Sequence, residues 1–255
     1  MTYGKRSKVK KTTGYAKFFD KYKEGVRIMK RIILITALLF LSCSLFAGDI
    51  AAFVDLGFSS DSKYFMFAQY GVNDKSLPYA DIFTVNVADN RFVQGGVLQE
   101  EYTIPITPGQ EGFGALITLM RKGDDIAVTY GINHMRTGRL VYILLNGEEP
   151  QDIIQFRDFQ TGNNYSITLR QSSYGEGKNV SSSFFINATV ERSSGKVANY
   201  TVGLPDYKRK QVKEYVIRKI LVSPRDDALI FVIEKIEVGL SGSNVRYMVE
   251  TLPMF

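Results

Sequence analysis

The run Tyr64–Tyr70, YFMFAQY, is apolar at almost every position. A strand with one wet face alternates apolar and polar residues, so this one is expected to be covered on both sides. Its neighbours read as strands too. Ile50–Phe58 is IAAFVDLGF, and in Ile82–Val87 the residues Phe83, Val85 and Val87 alternate with Thr84 and Asn86. SSDSK, GVNDKSLPYAD and ADNR separate them, three stretches of turn chemistry. The expectation is a meander of three strands, with Phe92-Val93 opening a fourth.

The middle changes period. In Glu111–Lys122, EGFGALITLMRK, Phe113, Leu116, Ile117 and Met120 recur at helical spacing. Gly123 breaks the run, and Asp124 or Asp125 is placed to cap a second short helix reaching Tyr130. Strand patterns then return at 139–145, 165–170, 183–191, 197–202, 217–222, 228–238 and 244–252. Strands on both sides of one helical pair, without βαβ alternation, predict a mainly β (α+β) fold. This is an antiparallel β-rich single domain over 48–255, with blade-like meanders and a short central helical insertion.

Charge is distributed unevenly. Residues 1–47 carry eleven of the 32 Lys and Arg but two of the 26 Asp and Glu, leaving 21 bases against 24 acids, a net −3, in 48–255. Met29-Lys30-Arg31, then the 16-residue apolar run Ile32–Ala47, then Gly48, have the three parts of a secretory signal peptide. The run is shorter than the roughly 20 residues of a spanning helix. Residues 29–47 are therefore read as a signal peptide cut between Ala47 and Gly48. Residues 1–28 are read as a basic leader, for which a mis-set start at Met1 and translation from Met29 is the simpler account. Cys43 as a lipidated cysteine, or an uncleaved anchor, would instead tether the domain to a membrane. Cleavage removes the only cysteine, so the domain relies on its core rather than on disulfides.

Two segments echo each other. Phe58-Ser59-Ser60 leads through Asp61-Ser62-Lys63 into Tyr64–Phe67, and Val222-Ser223-Pro224 leads through Arg225-Asp226-Asp227 into Ala228–Phe231. Each reads as a tight hairpin whose Ser and Asp side chains satisfy turn backbone groups. The pattern resembles hairpins of TolB-type and WD40-like propeller blades. A wider resemblance rests on the GFS-turn-YF hairpin, on EGFGALITLMRK with Tyr130-Gly131-Ile132, and on Gly203-Leu204-Pro205 through VIRKILVSPRDDALIFVIEKIE to RYMVETL. By these the chain is similar to a bacterial family of predicted secreted proteins, domain of unknown function 2259. The resemblance implies export and brings no activity.

Catalytic patterns are sparse. His134 is the only histidine, so no His or Cys cluster is available for zinc, and no metal or cofactor is expected. Ser60 and Lys63 form S-x-x-K, but in a turn rather than at a helix start. Gly239–Ser243 lacks the last Gly of a nucleophile elbow, and Gly175-Glu176-Gly177 lacks the third Gly of a dinucleotide site. The adjacent acids Asp124-Asp125, Glu148-Glu149 and Asp226-Asp227 all fall in turns. Lys208-Arg209-Lys210 is basic, but in a slightly acidic domain it reads as a solvated loop rather than a nucleic-acid surface. The leading expectation is a non-enzymatic envelope or periplasmic binding module for a protein or polymer. Its candidate surface is Tyr70, Tyr79 and Tyr174, beside Gly, Pro or Asn loops. An exported hydrolase using carboxylates distant in sequence is the alternative.

Overall fold

Turn clusters at short intervals fold the chain into three antiparallel meanders. The computed structural model describes Met29 and residues 48–107, 109–239 and 242–254. Apart from Met29, the segment read as a signal peptide lies outside the described residues, and with it Cys43 and Ala47. β1 (Ala52–Ser59), β2 (Tyr64–Val72), β3 (Pro78–Asn86) and β4 (Arg91–Glu101) form the first sheet, with the short β5 (Ile132–Asn133) added beside β1. Helices α1 (Phe113–Lys122) and α2 (Asp124–Thr129) cover one face of it. β6 (Arg139–Ile143) crosses to the third sheet. The second sheet is β7 (Ile153–Arg157), β8 (Asn164–Tyr174), β9 (Ser181–Glu191) and β10 (Val197–Lys210). β11 (Val212–Val222), β12 (Ala228–Val238) and β13 (Ser243–Pro253) complete the third sheet, in the order β13-β12-β11-β6.

The sheets stack as layers with the third in the middle. On β12, Leu229, Phe231 and Ile233 pack with Ile167, Phe184 and Ile186 of the second sheet. The alternate residues Ala228, Ile230 and Val232 pack with Phe58, Phe65 and Phe67 of the first. All six of these β12 residues are at most 1% exposed, because every second side chain meets a different sheet. β2 is covered twice for the same reason: Phe65 and Phe67 face the third sheet, while Met66 and Ala68 face Leu116 and Leu119 of α1. The two-sided reading of YFMFAQY holds.

Apolar contacts among the described residues run from first to third to second sheet. A propeller needs its last blade to return against its first, so the meanders are blade-like but belong to a stack. The likeness to propeller hairpins is local to the two turns. Tyr64 N–H donates to Ser59 Oγ at 3.0 Å, and Ala228 N–H donates to Ser223 Oγ at 3.0 Å. Ser59 Oγ in turn donates to Asp61 and Ser223 Oγ to Asp227. Ser62 and Asp226, at the same place in the two turns, have φ of 58° and 57°.

Two details of the helical pair differ from expectation. α1 buries Ala115, Leu116 and Leu119 and leaves Ile117 at 46% exposed, because its inward stripe is centred one residue away from Ile117. Gly123, not an aspartate, occupies the cap of α2; Asp124 and Asp125 lie in its first turn, where their negative charge complements the positive end of the helix dipole without a capping bond. Five strands are also longer than their sequence signal. β3 begins at Pro78, inside the stretch read as a turn, while β4, β8, β10 and β11 each have outward or edge positions filled by polar residues, and β7 gave no signal.

One ion network ties the layers at their ends. The Arg139 guanidinium on β6 meets Asp158 at 2.5 and 2.9 Å and Asp226, in the β11–β12 turn, at 2.6 Å. Burial raises the Asp158 carboxyl, but Arg139, the Thr161 hydroxyl and the Gln160 N–H together outweigh it and hold the group at about 2. A depressed folded-state value stabilises the fold above the ordinary carboxylate range and loses that contribution as pH falls towards 2. Asp158→Asn is therefore expected to cost about 2 kcal/mol at neutral pH. In urea titrations the gap between wild type and variant should close as the pH is lowered from about 5 to about 2. For the central layer, Phe231→Ala should cost about 3–5 kcal/mol in the same assay. Phe159→Ala, at a side chain 91% exposed, should stay within about 0.5 kcal/mol of wild type.

Candidate functional site: a cleft beside the central sheet

A β-bulge roofs a polar recess among the described residues. β10 pairs regularly with β9 until Leu204 lies opposite Phe184; the next pair is Arg209 opposite Ser182. The four residues Pro205–Lys208 thus face Ser183 alone. Pro205 has no N–H for the ladder, and Gly203 has φ of +103°, a conformation that disfavours any side chain. The bulge carries Tyr207 and Arg209 over the gap between β4 and β13.

Beneath it lie two adjoining recesses that share Phe92, Arg209 and Met248. The larger, about 480 Å³, has Phe67, Gln69, Asp81 and Phe83 at its floor and Lys235, Glu237, Arg246 and Tyr247 among its walls. The smaller, about 390 Å³, is lined by Val85, Asn90, Leu204 and Glu250 among others. Both volumes suit small-ligand sites. The aromatic floor is a row across the first sheet: Phe53, Phe67, Phe83 and Phe92 follow one another at ring separations of 5.7, 5.0 and 5.5 Å. Its outer member, Phe92, is 55% exposed at the mouth, and Tyr207 is 59% exposed on the bulge.

The polar groups are mostly held by one another. Gln69 donates from Nε2 to Asp81 at 2.7 Å and accepts the Tyr247 N–H at 2.6 Å, joining the first sheet to the third. Burial pushes the Asp81 carboxyl above its usual range, partly offset by hydrogen bonds from Gln69 and Gln99. Glu250 is likewise pushed up by burial, offset by Asn90 and the Arg209 charge. Asn90, at φ of 52° in its turn, donates to Glu250 and accepts the Thr251 N–H at 2.8 Å. The Arg209 guanidinium lies 3.9 Å from Glu250 and 5.0 to 5.8 Å from the rings of Tyr207, Phe184 and Tyr215, a cation seated among aromatic faces. Lys235 pairs with Glu237 at 2.9 Å.

The residues singled out from sequence lie elsewhere and apart. Tyr70 is half-buried, edge-on to Phe113 of α1 at 5.4 Å, on the helical side of the first sheet. Tyr79 packs on the opposite face of that sheet and is 7% exposed. Its hydroxyl donates to Asp49 at 3.0 Å, and the Arg246 guanidinium lies 4.5 Å from its ring. Tyr174 is exposed at the end of β8, with the Lys208 ammonium 3.8 Å from its ring centre. These three make no common surface, and Tyr79 is a core residue because Asp49 needs its hydroxyl. Gly48 packs against the Ser243 backbone.

The remaining motifs resolve as turns and supports. His134 Nδ1 lies 2.6 Å from the Leu56 carbonyl oxygen, so that nitrogen carries the proton and donates. Glu148 accepts the Leu145 N–H in its own loop, and Asp226 and Asp227 serve Arg139 and Ser223. Among the described residues, no group of three or more His, Cys, Asp or Glu is placed to hold a metal ion. Sequence reasoning passed over Phe92, Tyr207, Asp81, Gln69 and Glu250. One signal was present: Gly203 and Pro205 inside a strand pattern mark a bulge, and bulges re-aim side chains.

Fold and cleft together define an α+β protein of stacked antiparallel sheets with a bulge-roofed cleft at one edge. Residues 66–252 match the family described as "Predicted secreted protein (DUF2259)", and the chain belongs to that family. No curated protein and no solved structure matches the chain. Among the described residues, no helix is long and apolar enough to cross a membrane.

The Glu250 geometry gives a signed expectation. A carboxyl raised by burial costs stability once ionised, so the cost is absent below the ordinary glutamate range and appears as pH rises. Glu250→Gln should raise the unfolding midpoint at about pH 7 and leave it unchanged below about pH 4, where both forms are neutral. Urea denaturation at the two pH values checks this.

Proposed function

We propose that this secreted protein is a non-enzymatic binding module, working in the periplasm or cell envelope, whose ligand is an extended polar polymer lying along the bulge-roofed cleft. One observation carries the reading: exposed rings of Phe92 and Tyr207 stand at the mouth of recesses in which Lys235 pairs with Glu237 and Arg209 lies near Glu250 with its Nη1 left without a hydrogen-bond partner. Cations and anions balance there, which favours a ligand of low charge with hydroxyl or amide groups. Ring faces contribute apolar contact, while Gln99, Lys235 and Glu237 offer both donors and acceptors. The carboxyls of Asp81 and Glu250 already hold amide partners, which favours holding a ligand over cleaving it.

Hydrolysis of a glycosidic bond is the second reading. It draws on Asp81 and Glu250, two carboxyls raised by burial in adjoining recesses. Their existing amide partners speak for a supporting role. Tethering through Cys43, or through an uncut leader, would change where the module works rather than what it holds.

The test is titration of the folded domain with soluble wall-glycan oligosaccharides, followed by tyrosine fluorescence, since the chain has no tryptophan. Saturable binding should weaken about tenfold or more in a Phe92→Ala/Tyr207→Ala variant and stay unchanged in Tyr174→Ala. Equal binding by wild type and the double variant would remove the cleft from the account. Release of shortened glycan, lost in Asp81→Asn or Glu250→Gln, would favour the hydrolase.

A further inference from the structure

The bulge that carries Arg209 over the cleft leaves its guanidinium incompletely paired. Nη1 is shut off from solvent and has no hydrogen-bond partner. Nη2 stands 3.9 Å from Glu250 Oε1, beyond hydrogen-bond length. Glu250, its side chain 7% exposed, accepts from Asn90 on its other oxygen, Oε2. Both groups are held in place. Arg209 is seated among the rings of Phe184, Tyr207 and Tyr215, and Asn90 is fixed in turn by the Thr251 N–H and hydroxyl. A cationic donor and a carboxylate acceptor therefore line the smaller recess as a set pair, beside Phe92, Leu204 and Met248.

Resting on that cleft as the binding site, we infer that the Arg209–Glu250 pair is a subsite for one sugar hydroxyl, and that the polymer held there is a glycan rather than a polypeptide. The separation selects the group. A hydroxyl oxygen about 2.8 Å from both Nη2 and Oε1 would see them about 90° apart, close to the directions in which an alcohol oxygen accepts one hydrogen bond and donates another. It accepts from the guanidinium and donates to the carboxylate, so both charges gain a bond from an uncharged ligand. A mostly buried cation with a nitrogen left unpaired gains most from such a bond. A secondary amide cannot serve both partners at one point, because its N–H and C=O point in opposite directions. A ligand carboxylate would be attracted by Arg209 and repelled by Glu250. Leu204 and Met248 suit the C–H face of the same sugar ring, with Phe92 at the mouth to lie against it. Water can bridge such a pair as well, and a hydroxyl that displaces it keeps both bonds.

The experiment titrates the folded protein by calorimetry with a β-linked N-acetylglucosamine tetrasaccharide and with analogues deoxygenated at one ring position throughout. Loss of the bridging hydroxyl should weaken binding about tenfold or more, and loss of another should change it less than about threefold. In Arg209→Gln the parent sugar should bind about tenfold more weakly and the difference between analogues should disappear. If Arg209→Gln does not fold, the deoxygenated series on wild type decides alone. Equal affinity for every analogue, or tighter binding of an uncharged tetrapeptide, would overturn the hydroxyl subsite. The cleft would still stand in that case if binding were lost in Phe92→Ala/Tyr207→Ala. Failure of sugar and peptide alike to bind would remove the cleft reading and the subsite together.

Discussion

β12 meets a sheet on each side, and the rest of the domain is arranged around that demand. A strand with Ala, Leu, Ile, Phe, Val and Ile in unbroken succession leaves no residue for water. It is stable only if two further sheets bury its two faces, and the two outer meanders do this. The first sheet then has a second apolar face of its own, which α1 and α2 cover. Each layer follows from the one inside it, and the core extends without a disulfide.

The cleft follows from the same arrangement. Where the first and third sheets part at their β4 and β13 edges, the gap is neither fully apolar nor fully open. Gln69, Asp81, Asn90 and Glu250 bridge it, and the bulged end of β10 reaches over it from the second sheet. Burying these carboxylates is costly, which is why each has an amide or guanidinium partner. The polar seam fixes how the edges sit, and the same seam leaves exposed rings and paired charges at its mouth.

The sequence made some of this visible for definite reasons. YFMFAQY announced two-sided burial because a sandwiched strand has no polar face to alternate with. The paired Ser59 and Ser223 turns were legible because their hydrogen bonds are local, closing within five residues. The cleft was not legible, since Asp81, Tyr207 and Glu250 are brought together from three meanders. Tyr79 misled for a related reason: a tyrosine beside a Pro loop looks like a surface residue until Asp49, thirty positions earlier, claims its hydroxyl. Propeller-like turns likewise report a hairpin, and only the packing between sheets decides whether hairpins close into a ring or stack.

The central claim is that β12 holds both outer sheets and so fixes the cleft between the β4 edge of the first sheet and the β13 edge of the third. Native-state hydrogen exchange on the folded protein tests it most directly. The account predicts that the amides of Leu229 to Ile233 exchange only by global unfolding, with the inner strands β2 and β9 released in the same event. Exchange of β12 ahead of either outer sheet would show that those sheets stand without it, and would contradict the layered core and the fixed cleft together.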